Sequence, residues 1–168
     1  MNMIAAVDLS WGIGKENSLL YHIPEDMKFF RSVTLGKTVV CGRKTLESFP
    51  GSKPLPERMH YVLTRSKFPD TDQLRYFSDL DSLLEALRIL PEEDVVVIGG
   101  ESVYRQLLPY CQKVYITKIE ADGKEADAFF PNLDEDSSFE LSESGEMQTS
   151  KNGLRFAFLV YKNTDPRR

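Results

Sequence analysis

The sequence predicts an α/β fold: a three-layer sandwich around a central, mostly parallel sheet, with about four helices and an antiparallel C-terminal hairpin. Three observations carry this. Short, continuous apolar runs at 3–7, 38–41 and 94–100 read as strands covered on both faces. Stretches of helical periodicity alternate with them, as in sheets whose strands are joined by helices. Finally, Asn152-Gly153 stands between 147–149 and the apolar run 154–161, the turn chemistry of a closing hairpin.

Each element has its own signal. The first strand, 3–7, leads into a loop at 8–17 whose glycines, Gly12 and Gly14, give it backbone freedom. Trp11 and Ile13 are apolar residues on that loop, as on loops that close over a ligand. Gly12-x-Gly14 lacks the third glycine and the later acid of a dinucleotide fingerprint. Pro24 suits the first turn of a helix over 24–34, which ends near Gly36. After the strand 38–41, Gly42 opens a short helix. Strand 59–65 follows a Pro-rich loop at 50–56, and His60 is assigned to its surface. A short strand covers 74–77. Leucines at 80, 83, 84, 87 and 90 mark a helix over 79–90, capped by Ser78 or Asp79 and stopped by Pro91. The strand 94–100 is apolar almost throughout and belongs at the centre of the sheet. Gly99-Gly100 ends it, and a helix over 101–108 turns Val103, Leu107 and Leu108 inward. Residues 114–119 form another strand. An acidic loop at 122–127 and an acid-rich surface segment at 134–146 precede the hairpin.

The 168 residues favour one domain, taken as 1–162, with a polar tail at 163–168 that has no evident partner. Hydrophobic residues make up 41% and charged residues 28%, an ordinary soluble composition. A formal charge of −5 argues against general affinity for nucleic acid or an anionic membrane. No apolar run approaches membrane-spanning length, and the N-terminus lacks the basic and apolar regions of a signal peptide. Cys41 and Cys111 each adjoin an apolar run and read as buried free thiols in a reducing cytosol. A cytoplasmic monomer is the expectation.

Two parts of the chain point to chemistry. Asp26 falls within the apolar arc of the first helix, beside Met27, Phe30 and Val33, while Glu25, Lys28 and Arg31 take the wetter side. A carboxylate so placed loses hydration, and its pKa rises unless donors hold it ionised. Two readings stand here: a functional carboxylate, or a first-turn residue favoured by the helix dipole. The second part is an edge of the sheet. Ligands of such sheets bind at the C-terminal strand ends. That rule brings together the loop after Val7, Gly42 to Thr45, Leu63 to Arg65, and Gly99 to Tyr104. Arg43 and Lys44 at a helix start suit an anion, although a solvated basic helix start has the same composition. Gly99-Gly100 suits close approach of a ligand to the backbone, or simply tight packing of strand on helix.

An ordered set of motifs runs through nearly the whole chain: Ile4-Ala5-Ala6, Gly14-x-x-Asn17, Pro24-x-Asp26 with Phe30, Gly42-Arg43-x-Thr45-x-Glu47-Ser48, Pro54-Leu55-Pro56-x-Arg58, Ile98-Gly99-Gly100 with Tyr104, and Thr117. In that order they resemble bacterial dihydrofolate reductase. The resemblance implies reduction of 7,8-dihydrofolate to tetrahydrofolate with NADPH, within one-carbon metabolism, and a target for antifolate inhibitors. It implies that Asp26 binds the pterin, supported by Thr117 and by a water held at Tyr21. Ala6, Met27 and Phe30 would line the pterin pocket, Phe49 and Leu55 would flank the benzoyl group, and Arg58 would pair with the glutamate α-carboxylate. On the cofactor side it implies Ala6, Ile13, Gly14, Gly42, Arg43, Lys44, Thr45, Leu63, Thr64, Arg65, Ile98, Gly99, Gly100, Glu101, Ser102, Val103 and Tyr104. The family joins the two glycines by a cis peptide.

The chain departs from the pattern at Leu20-Tyr21, where the family has a tryptophan, at Trp11 in the lid, and at Glu101-Ser102, where Glu101 is read as a helix cap. Two alternatives remain open: a pyrimidine reductase of riboflavin synthesis, which would not need Arg58 after Pro-Leu-Pro, and a nucleotide-binding module without catalysis, which would not need Asp26.

Overall fold

The computed structural model describes residues 1–122 and 125–168, so Gly123 and Lys124 of the expected acidic loop lie outside the described residues. The chain begins with β1 (Asn2–Val7), followed by β2 (Gly12–Lys15), β3 (Ser18–Leu19) and helix α1 (Pro24–Thr34). Next come β4 (Thr38–Gly42), α2 (Arg43–Ser48), β5 (Met59–Leu63), β6 (Leu74–Phe77) and α3 (Leu80–Arg88). Then β7 (Val95–Gly99), α4 (Glu101–Leu107), β8 (Lys113–Ile119) and β9 (Ala128–Phe129) lead to β10 (Phe139–Ser144), β11 (Gln148–Thr149) and β12 (Arg155–Asn163).

The main sheet has the order β10-β12-β8-β1-β7-β4-β5-β6, with β11 paired to β12. Pairing is parallel from β8 across to β6. Among the described residues, β12 runs against its neighbours β8, β10 and β11. The hairpin strand therefore lies one place inside the edge expected for it, and β10 forms the edge.

Alternation along the strands sorts the core into two layers. On one face Met3, Ala5, Val7, Val40, Val95 and Val97 meet Leu83, Leu84 and Leu87 of α3 and Val103 and Leu107 of α4. On the other face Ile4, Val39, Cys41, Val62, Val96 and Ile98 meet Leu46 of α2 and Phe29, Phe30 and Val33 of α1. Helices cover both faces, which is why β7 is buried along its full length.

Three local expectations change. The segment 8–17 is not a bare loop, because β2 pairs with β3 and with β9 in a separate three-stranded sheet. Trp11 is a core residue and not a lid residue: it is 5% exposed, packs on Phe130 and Tyr161, and has the Lys118 ammonium 4.0 Å from its ring centroid. Its backbone takes φ 62°, held by the buried Asp8 carboxylate, which accepts from the N–H groups of Ser10 and Gly12 at 3.0 and 2.9 Å. The tail does have partners. Asn163 is buried, with its N–H on the Gln112 carbonyl and its amide on that of Pro109. The Thr164 and Arg167 N–H groups bond Ser138 and Pro109. A polar composition hid this, since the bonds are to backbone carbonyls of distant segments.

Candidate active site

Helix α1 carries the centre of the site. Ile23, 2% exposed, precedes it, and Pro24 occupies its first turn. The side of α1 that meets the sheet presents Asp26, Phe29, Phe30, Val33 and Thr34. Phe29, not singled out from the sequence, packs at 4.6 Å on Phe158 and at 6.0 Å on Tyr115. That contact seats the helix on β8 and β12. Met27 is 43% exposed, so the expected apolar arc is narrower than its spacing implied and Met27 stands at its open margin.

Asp26 reaches β8, where the Thr117 hydroxyl donates to its Oδ1 at 2.6 Å. Thr117 is fully buried and lies in register with Ala6 of β1. Burial drives the Asp26 pKa above the ordinary carboxylate value, and the Thr117 hydrogen bond opposes part of that rise. A first-turn carboxylate held only by the helix dipole would point to the helix N–H groups. Instead, Asp26 spans to a neighbouring strand. Tyr21, half-buried, packs with Ile23, Ile119 and Phe156.

At the other end of α1, Thr34 gives its hydroxyl to the Phe30 carbonyl at 2.8 Å and receives Arg58 Nη1 at 3.3 Å. Arg58 Nε donates to the Pro56 carbonyl at 2.9 Å. The guanidinium is thus held in one place although Arg58 is only 6% exposed. Burial lowers its pKa, with nearby Arg31 adding to the effect. Eight residues of helix separate Asp26 from Thr34, about 12 Å along the axis. Phe30 lies between them, with Phe49 and Leu55 in the same apolar cluster.

His60 corrects a second expectation. It is fully buried and not on the strand surface. Its Nε2 accepts the Leu55 N–H at 3.0 Å, which leaves the ring proton on Nδ1, 3.2 Å from the Arg58 carbonyl. Burial lowers its pKa. The neutral ring ties both ends of the Pro54–Arg58 turn and packs edge-on against Phe49 at 6.1 Å. Period-two alternation placed the side chain on a face, but it could not show that a turn folds over that face.

The second half of the site sits at the C-terminal strand ends, where Gly42 pairs with Leu63 and Cys41 with Gly99. Gly99 and Gly100 are joined by a cis peptide. Gly99 has φ 118°, and a Cβ there would lie 3.1 Å from the Tyr104 ring. A Cβ on Gly100 would stand 3.3 Å from Thr45 Oγ1, and one on Gly42 would stand 3.4 Å from Val103. The backbone of these glycines is therefore packed closely against the side chains of Tyr104, Thr45 and Val103. The Tyr104 hydroxyl donates to the Ile4 carbonyl at 2.7 Å, so this ring is part of the scaffold under the glycines. Ile98, just before the two glycines, is buried in the core layer on the other face of the sheet. Leu63 and Thr64 are half-buried, while Arg65, Lys44 and Ser102 are exposed. Arg43 pairs with Glu47 at 3.1 Å. Glu101 does not cap its own helix: its carboxylate accepts from Arg105 at 3.3 Å and from the Phe129 N–H of β9 at 3.1 Å.

Ile13 and Gly14 of β2 lie on a segment tethered to α2 and to the chain before β9. The Asn17 amide donates to the Lys44 carbonyl at 2.9 Å, Glu16 N–H to Asp127 at 2.9 Å, and Asp127 N–H to the Gly14 carbonyl at 3.0 Å. Asp8 and Asp127 were missed from the sequence, although an acid directly after an apolar strand is a usable sign of a loop anchor.

The matches to known proteins agree with this arrangement. A family model described as dihydrofolate reductase matches residues 1–163. The dihydrofolate reductase of Neisseria meningitidis serogroup B is 37% identical over 163 residues, covering 96% of this chain and 96% of its own. That of Bacillus subtilis is 35% identical, covering 96% and 94%. That of Staphylococcus haemolyticus is 33% identical, covering 96% and 95%. An α/β scaffold, a half-buried carboxylate on its first helix and a match along nearly the full length lead to one conclusion: the chain belongs to the dihydrofolate reductase family.

Proposed function

We propose that this protein reduces 7,8-dihydrofolate to tetrahydrofolate with NADPH, as a cytoplasmic monomer. The observation that carries the substrate is the pair at the two ends of α1. Asp26 offers a desolvated carboxylate for the amino and ring N–H groups of a pterin. Arg58 offers a fixed guanidinium for a carboxylate, about 12 Å along the helix. Phe30, Met27, Phe49, Leu55 and Ala6 supply apolar surface for the rings between.

On the cofactor side, Gly42, Lys44, Thr45, Gly99, Gly100 and Ser102 would face the diphosphate, with Ile13, Gly14, Ile98 and Tyr104 around the nicotinamide. Arg43, Thr64 and Arg65 would take the 2′-phosphate, with Leu63 and Val103 behind them and Glu101 bordering the site. The glycine backbone and the two cations fit such a group by their chemistry. When bound, NADPH supplies the hydride.

The protein's own part is electrostatic and protonic. Asp26 binds and orients the substrate ring. Its raised pKa brings the carboxyl nearer to working pH, where it can serve protonation at N5 directly or through a water placed with Tyr21. Thr117 fixes which carboxyl oxygen faces the ring. The tethered β2–β3 segment keeps bulk water from the reaction.

Oxidation of NADPH followed at 340 nm with dihydrofolate tests the reading. The native protein should turn over and an antifolate should stop it. Asp26→Asn should retain the fold and lose about 100-fold or more in rate at neutral pH. Normal turnover by that variant would remove Asp26 from its role. The pyrimidine reductase and non-catalytic readings give no account of Arg58 and Asp26 at opposite ends of one helix.

A further inference from the structure

We infer that Phe68 is a positioning residue for Arg43, and through it sets the preference for a cofactor carrying a 2′-phosphate. This rests on the reading of Arg43 given above. Arg43 begins α2, while Phe68 belongs to the connection between β5 and β6, so the two meet only through tertiary structure. The Arg43 guanidinium carbon lies 5.8 Å from the Phe68 ring centroid. Its Nε is 3.1 Å from Glu47 Oε1, and its Nη1 is 3.4 Å from Ser66 Oγ. Three contacts from three directions therefore hold a side chain that otherwise has many rotamers.

Phe68 is itself 41% exposed, an unusual place for a large aromatic unless the ring has work there. It is not loose. Its ring packs tilted on that of Tyr76 of β6, centroids 5.2 Å apart, and the Tyr76 N–H donates to Asp70 Oδ1 at 3.0 Å, closing the connection back onto the strand. The sheet edge thus fixes Tyr76, Tyr76 fixes Phe68, and the Phe68 ring lies under the guanidinium carbon of Arg43. Glu47 occupies the Nε edge and the Phe68 ring lies against the guanidinium carbon. Ser66 takes one N–H of Nη1, the other N–H groups on the Nη atoms remain to meet an anion, and Arg65 and Thr64 stand on the same connection as Phe68. A cation held over a ring before binding has less freedom to lose when the phosphate arrives.

The test is steady-state kinetics with NADPH and with NADH on Phe68→Leu, Phe68→Tyr and Arg43→Leu. Phe68→Leu should raise the NADPH KM about two- to fivefold, the range a surface cation–π contact supplies. The NADH KM should not follow it, and the change should fall on KM rather than kcat. Phe68→Tyr keeps the ring and should restore the native ratio. Adding Phe68→Leu to Arg43→Leu should change nothing further. Equal rises for both cofactors, or no rise for either, would overturn the inference. If Arg43→Leu itself leaves the NADPH preference intact, the reading of Arg43 fails. If Arg43→Leu abolishes the preference and Phe68→Leu does not, the role of Phe68 alone fails. Thermal melting of Phe68→Leu confirms that the fold is kept.

Discussion

Asp26 and Thr117 show how one hydroxyl can tune an acid. The carboxylate is desolvated by α1 and the sheet, and it keeps one short hydrogen bond from Thr117. Hydrogen bonds to charged groups contribute about 1.5–3 kcal/mol. Thr117→Val preserves shape and removes the donor. Its loss disfavours the ionised form, so the Asp26 pKa should rise further. The fall in hydride-transfer rate with rising pH should then move to higher pH, measured by single-turnover kinetics. An unmoved profile would make Thr117 a packing residue only. The sequence showed Asp26 as a polar residue on an apolar arc. Spacing alone did not show what Asp26 touches, because Thr117 is 91 residues away along the chain, and it was the family resemblance that supplied this partner.

At the scale of elements, legibility followed length and period. The bounds of α1 and of β6 are those the apolar pattern and Pro24 indicate. Asp79 caps α3 as expected, accepting the Ser82 N–H at 2.7 Å. The pieces β2, β3 and β9 were hidden because two- to four-residue strands show no period. They are held by polar links, and Glu101 is one that can be tested. Its carboxylate joins α4 to the Phe129 N–H, and Phe129 pairs with Gly12. Glu101→Ala should let β9 open from α4 while the core persists. Amide exchange at Phe129 should speed up about five- to tenfold, with the protection of β7 unchanged. Unchanged exchange at Phe129 would mean that β2 alone holds the strand.

For the molecule as a whole, the site opposes stability. A desolvated carboxylate whose folded-state pKa is raised costs nothing where it is protonated in both states. The cost grows as pH climbs above the ordinary value near ~3.9 and is complete above the raised one. Asp26→Asn removes it and keeps an oxygen for Thr117. The inactive variant should melt above the native protein at pH 7, and the advantage should vanish as pH falls toward the ordinary carboxylate range. A lower melting temperature at pH 7 would show Asp26 to be structural. The overall architecture was readable because alternating buried runs and helices admit few arrangements. The tail was not, because Asn163 is anchored by backbone carbonyls that no composition reveals.

The buried His60 gives the two halves of the site different sensitivities to acid. It works only as the free base, since its Nε2 must accept the Leu55 N–H. Its burial, aided by the neighbouring Arg58 charge and opposed by the bonds to the Arg58 and Gln73 backbone, makes the folded protein resist protonation there. The unfolded chain takes up that proton first, so this part of the stability is present above about pH 6.5 and drains away as pH drops below it. The turn bearing Arg58 hangs on this ring, whereas the glycine-lined half does not. Mild acid should therefore unfasten the grip on the substrate's anionic tail before it disturbs the cofactor cleft. Binding of the two ligands should part company in a titration from pH 7 to pH 5, with a rising dihydrofolate Kd and a steadier NADPH Kd. Parallel weakening of both would tie the acid response to another group.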